Sequence, residues 1–499
     1  MKKLAKNSIS SLVFQVTTII CGFILPRLIL GAYGSEVNGL VTSITQFLTI
    51  ISFLELGVGA VVQSALYKPI ADNDNSTVSK IIVSAGKFFK RLATILLVYI
   101  IVLMVIYPWI VEKNFSHLFS AMLILCISIS YFAQYYFGVV DRLLLTADQR
   151  GYIQYNAQTL TLVGNTVACV ILINLGASIH IVKLTTSLIY LLRPLFLRMY
   201  VNKRYCIDRK ITYEVEPIKQ KWNGVAQHVA AVVLDGTDSI VLTLFSTLEN
   251  VSIYSVYHLV VLGVKQLFLS LTSGIQSLIG ELWAKQELEE LNKTFSWMEW
   301  AMHTGTILVF GCAGVLLVPF VEVYTSGISD ANYIQPLFAV LITMANAGHC
   351  LRLPYNVMIL AAGHYKQTQN NYIVAALLNI VISVLTVNSF GLIGVAIGTL
   401  VAMVYQTVWM AIYDSKNLIK WPIRNFVKQV AVDVITVLFA VMLSAGFELG
   451  TVSYLGWIML AVKVGVIWLF VVVVMNAIFY REKMISLIRK VYKKREKIL

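Results

Sequence analysis

The sequence predicts an all-α integral membrane protein of about fourteen transmembrane helices, two parallel-repeat six-helix bundles followed by two C-terminal helices. Three observations predict it. Of 499 residues, 58% are hydrophobic and only 13% charged, with a mean hydropathy of +0.78, which is about half the charge of a soluble domain. Apolar runs such as 92–111, 118–140 and 464–480 approach or exceed the roughly 20 residues a helix needs to cross a hydrocarbon core. The basic residues of the links, finally, are concentrated in every second link. Backbone groups in lipid must satisfy one another, so only helices and closed barrels span a membrane. These runs lack the alternation of barrel strands.

In chain order the spans fall at 9–30, 37–66, 92–111, 118–140, 153–173, 179–200, 223–245, 251–283, 298–325, 333–361, 371–387, 392–413, 425–446 and 454–480. The first follows MKKLAKNS, which has the charge of a signal peptide without a small-residue cleavage site, so it is read as a retained helix. Spans 37–66 and 251–283 are longer than a perpendicular helix requires and are expected to tilt, bend or project. The cysteines all lie in apolar runs except Cys206, without CxxC or Cys/His ligand spacing, and are read as small packing residues.

Charge sets the orientation. Links on the side of the N-terminus carry Lys80, Lys87, Lys90, Arg142, Arg150, the basic stretch 201–221, Lys366, Lys416 and the tail beyond Arg481. The opposite links, among them GAYGSE, NLGAS and FELGTVS, are short and hold only Lys113. By the positive-inside rule both termini are expected in the cytoplasm. Most of the +14 formal charge is this bias. The basic tail is expected to meet anionic lipid headgroups rather than nucleic acid.

The first six spans and the next six follow one plan about 214 residues apart. The long second span falls on the long eighth. ADQRGYIQYN at 147–156 falls on AGHYKQTQNN at 362–371. This predicts an N-terminal lobe over 1–210, a C-terminal lobe over 211–420, and appended helices with the tail over 421–499. An even number of spans per copy gives both the same orientation, as in secondary transporters that bind at a repeat interface.

Ionisable groups inside spans are costly and are the first functional candidates. Lys265 lies roughly 21 Å deep in span eight, beyond easy snorkelling. Asp235 and Asp238 are three residues apart, on one face of span seven. With Glu55 in span two they are candidates for a coupling proton or sodium ion. Arg27 and Arg352 sit nearer the ends of spans one and ten. Arg193 and Arg198 read as cytoplasmic anchors, and Asp433 with Lys463 as a structural bridge. No Walker loop, HExxH or GxSxG occurs, and no outer link is long enough to house a catalytic site, so no catalytic residue, metal or cofactor is expected.

The stretch NSISSLVFQVTTIICGFILPRLILGAYGSEVNGLVTSITQFLTIISFLELGVGAVVQSALY resembles bacterial polysaccharide and O-antigen flippases of the Wzx type, within the multidrug/oligosaccharidyl-lipid/polysaccharide exporter superfamily. The polar start, PR near the end of span one, the glycine–polar turn and LELG carry the likeness, and the six-plus-six-plus-two plan extends it. The resemblance implies two bundles around a cationic cavity and a glycan on undecaprenyl diphosphate as cargo. Its partners would be membrane lipids and other polysaccharide-assembly membrane proteins. Arg27 matches the family's span-one arginine, and Lys265 and Arg352 join it on depth. Asn38, Gln46, Tyr254 and Tyr257, on the long spans, are candidates for sugar contact. Lipid II flippases of the superfamily look arginine-rich in spans one and two, whereas span two here offers only Glu55. Cation-coupled multidrug exporters often carry a span-one acid, absent here. These and a membrane glycan polymerase are the alternative readings.

Overall fold

The computed structural model describes residues 2–50, 53–111, 115–218, 225–419 and 421–496, and their side chains except at 2–5, 53–57, 60, 225–232, 235, 273–274, 277 and 490–496. Every regular element among them is helical. Two units divide the chain, Met1–Ser252 and Ile253–Leu499.

The first unit holds α1 (Lys2–Ile50), α2 (Phe53–Ala71), α3 (Asn75–Ile110), α4 (His117–Ala133), α5 (Val139–Ala147), α6 (Gly151–Asn174), α7 (Ile179–Arg204) and α8 (Val225–Phe245). The GAYGSE link, expected as a loop, is a kink within α1. Gly34 alone leaves the helix, at φ 84° and ψ 175°, a region that only glycine enters without strain. The chain thus redirects in one residue, and the second span is completed by α2. Helix α3 begins at Asn75 rather than at the apolar run, because Asp74 accepts from the Thr77 amide at 3.0 Å and caps it. Its added turns bury Val78, Ile81, Ile82, Ala85 and Phe89 on one face. Beyond them Leu96, Ile100 and Leu103 join the core while Ile95, Val98, Ile101, Val102 and Val105 face outward. A helix apolar on both faces belongs between a protein core and lipid. Helix α4 passes into α5 through a π-helical turn, Gln134–Gly138.

The link after α7 folds back on this unit. Arg209 donates to Asp141 at 2.9 Å, Arg198 lies 3.6 Å from the same carboxylate, and Ser84 donates to Glu216. Asp141 is wholly buried and is held between two guanidiniums.

Helix α9 (Leu248–Ala284) opens at the end of the first unit. The second unit continues with α10 (Leu288–Tyr324), α11 (Pro336–Ala361), α12 (Tyr365–Phe390), α13 (Leu392–Asn417), α14 (Ile423–Ser444), α15 (Tyr454–Phe479) and α16 (Arg481–Glu496). The basic tail is therefore helical through Glu496. Helix α10 packs on α11 and α15, and the fully buried Trp468 of α15 fills the notch at Gly311. Twelve helices among the described residues are long and apolar enough to cross a membrane. The Gly34 kink divides the first of them in two, and α8 supplies a further apolar stretch, Gly236–Phe245. Together they account for the fourteen predicted spans of a multi-pass membrane protein.

Buried Asn165 of α6 donates to the Tyr190 hydroxyl of α7 at 3.4 Å, and buried Asn379 of α12 donates to Thr399 of α13 at 3.0 Å.

Candidate functional site

The strongest concentration of buried basic groups singled out by the sequence lies in the second unit. Lys265 of α9 and Arg352 of α11 are 5% and 6% exposed, and both act electrostatically on His349 and Cys350. Arg352 Nη2 lies 3.0 Å from His349 Nδ1. A guanidinium can only donate, so Nδ1 accepts and the imidazole is fixed as the Nε2–H tautomer. One turn of α11 places His349 and Arg352 on the same face. The arrangement gathers two buried cationic side chains about one imidazole.

Arg27 is half-buried in α1, and its guanidinium passes 3.7 Å from where a Gly31 side chain would begin. The head therefore lies one turn toward the Gly34 kink. Asn38 donates to Ser252 at 2.8 Å, both buried. The Gln46 amide lies against Gly236 of α8. Tyr254 stacks on His258 with ring centres 5.3 Å apart. The Tyr257 hydroxyl donates to the Tyr333 carbonyl at 2.7 Å and accepts from the Gln335 amide at 3.0 Å, which ties α9 to the segment before α11. Asp238 is buried in α8. The side chains of Asp235 and Glu55 lie outside the described residues.

Two readings are corrected. Asp433 does not bridge to Lys463. Its carboxylate lies 2.5 Å from Nδ1 of His303, which is completely buried in α10, while Lys463 is exposed on α15. Hydropathy gives depth but not azimuth, and the two residues at similar depth occupy different faces. Arg193 is not a surface anchor either. It lies 3.8 Å over the Tyr190 ring and donates to Thr161 of α6. The hydroxyl and ring at mid-span outcompete the longer reach to the headgroups. Sequence reading also missed Glu299, which accepts from Tyr355 at 2.6 Å and Trp421 at 3.1 Å. It was counted as the edge of a span, and its partners come from distant segments.

No family model matches the chain, and no curated protein does. Solved structures do. The structure is similar to the lipid II flippase MurJ in its inward closed conformation, with a TM-score of 0.72 at 13% identity over 96% of this chain and 99% of that one. It shares the fold of these transporters. An inward-facing multidrug-resistance MATE transporter of the MOP superfamily aligns with a TM-score of 0.58 at 14% identity, over 81% of this chain and 94% of its own. The Vibrio cholerae MATE transporter VcmN in its bent form aligns at 0.54 and 14%, over 84% and 96%.

Proposed function

We propose that the protein is a flippase that moves an undecaprenyl-diphosphate-linked oligosaccharide unit across the cytoplasmic membrane for surface polysaccharide assembly, by alternating access. The observation that carries this reading is the buried pair Lys265 and Arg352 about His349. Cations kept inside a span cost about 2.5–3.5 kcal/mol each on insertion scales. A diphosphate is a cargo group that returns that cost through charge-assisted hydrogen bonds. The lobes over 1–210 and 211–420 would alternate access, with Asp235, Asp238 and Glu55 coupling the cycle to a proton or sodium gradient. The likeness to MurJ favours lipid II as the second cargo. Depleting the protein and identifying the lipid-linked glycan retained on the cytoplasmic face separates the two. Lys265→Ala and Arg352→Ala are each expected to lower export about tenfold or more at matched abundance, with Lys265→Arg retaining more than Lys265→Ala. Export at the parent rate in both alanine variants would exclude the reading.

The basic links place both termini in the cytoplasm in this proposal. A single cysteine introduced in the link at 205–218 should resist an impermeant thiol reagent in intact cells, and one at Thr247 should react. The reverse labelling pattern would invert the topology.

A further inference from the structure

Within the first unit, α1, α4, the π-helical turn, α5, α6 and α7 surround a cavity of about 400 Å³. Arg142 of α5 and Lys183 and Arg193 of α7 line it, and among the described residues no aspartate or glutamate does. The remaining polar lining is neutral, chiefly Gln134, Gln158 and Asn165. Arg193 is oriented by the Tyr190 face and by its bond to Thr161. Lys183 lies by Cys169 and makes no ion pair among the described residues. The π-helical turn widens the wall at Gln134, and such turns recur at functional sites.

The fold does not need these cations. At the repeat interval of about 214 positions, Lys183 and Arg193 correspond to Ile397 and Thr407, both uncharged. There α12 and α13 approach so closely that a side chain at Gly398 would begin 2.9 Å from the Asn379 carbonyl oxygen. The same helix pair thus packs by close backbone approach in one copy and around a basic cavity in the other. Cations in a membrane span are retained where they act on something, and Lys183 and Arg193, both half-buried, meet no acid in the described lining.

We propose that this cavity is an anion site for a diphosphate group. Lys183 and Arg193 both line the cavity from α7, ten residues apart. An anion with oxygens at both ends can accept from a lysine at one end and a guanidinium fork at the other, whereas a single-atom anion reaches only one. The chemistry is shared by free diphosphate and by a polyprenyl diphosphate head. The second source rests on the cargo reading above, and the first does not.

The test uses the full chain in lipid nanodiscs, in a Lys265→Gln background that removes one cation of the second unit. Inorganic diphosphate should bind saturably above a chloride control of equal ionic strength. Lys183→Gln and Arg193→Gln should each weaken it about tenfold or more, while Lys463→Ala leaves it unchanged. Without added anion, Lys183→Gln should keep or raise the thermal midpoint, because it removes a charge without a counter-charge in the cavity. A short-chain isoprenyl diphosphate that displaces the inorganic ion identifies the lipid head as the source, and failure to displace it identifies the free anion. Absence of saturable diphosphate binding, parent-like binding in both glutamine variants, or a lowered midpoint for Lys183→Gln without anion would overturn the site.

Discussion

Replacing Gly39 by alanine should destabilise the first unit by about 3 kcal/mol, at the upper end of what overpacking costs. A Cβ built there would stand 1.8 Å from the Leu248 carbonyl oxygen and 2.7 Å from its carbon. These are backbone atoms, so no rotamer change relieves the clash, and α1 would have to move away from the start of α9. The adjacent Asn38–Ser252 bond, 2.8 Å long and buried, would stretch with it, leaving polar groups unsatisfied. Gly164 provides the control. Nothing lies within 4 Å of its Cβ position in α6, so Gly164→Ala should be neutral or stabilise by up to about 1 kcal/mol through helix propensity. Thermal midpoints of the purified variants in detergent test both. A Gly39→Ala midpoint equal to the parent's would show that the approach of α1 to Leu248 is not a constraint on the fold.

The helices were legible because the bilayer imposes one length and one polarity on every span. The alternation of basic and neutral links needs no packing information to be seen. What hydropathy could not show is geometry around the helix axis and structure that projects past the apolar run. The first turns of α3 and the helical tail α16 are too polar to register as spans, and the Gly34 kink reads like any short glycine link. The same limit governed the site. Lys265 and Arg352 were found by depth alone, and their meeting at His349 could be expected only once α9 and α11 were placed together. Arg193 was read as an anchor near a span end, and Lys183 was not singled out at all. A signal was present all the same: spans five and six contain no acid, and their repeat equivalents, Ile397 and Thr407, carry no charge.

Asp433→Ala and His303→Ala should each destabilise the second unit by about 3 to 5 kcal/mol, the cost of leaving one member of a buried ionisable pair without the other. His303 has no exposed side-chain surface and the Asp433 side chain only 9%, so water replaces neither partner. Nδ1 meets the Asp433 carboxylate, while Nε2 is buried without a hydrogen-bond partner among the described residues. The pair therefore clamps α10 to α14 through a single 2.5 Å contact. Asp433→Asn keeps an acceptor for Nδ1 and should lose less than Asp433→Ala. The double alanine variant should cost clearly less than the sum of the singles, with a coupling of about 1–3 kcal/mol, because the residues share one contact. Lys463→Ala, on the exposed face of α15, should stay within about 0.5 kcal/mol of the parent. A full cycle of thermal midpoints for the two singles and the double decides the matter. Strict additivity of Asp433→Ala and His303→Ala, or coupling of Asp433 to Lys463 in its place, would restore the bridge read from depth and remove the α10–α14 clamp.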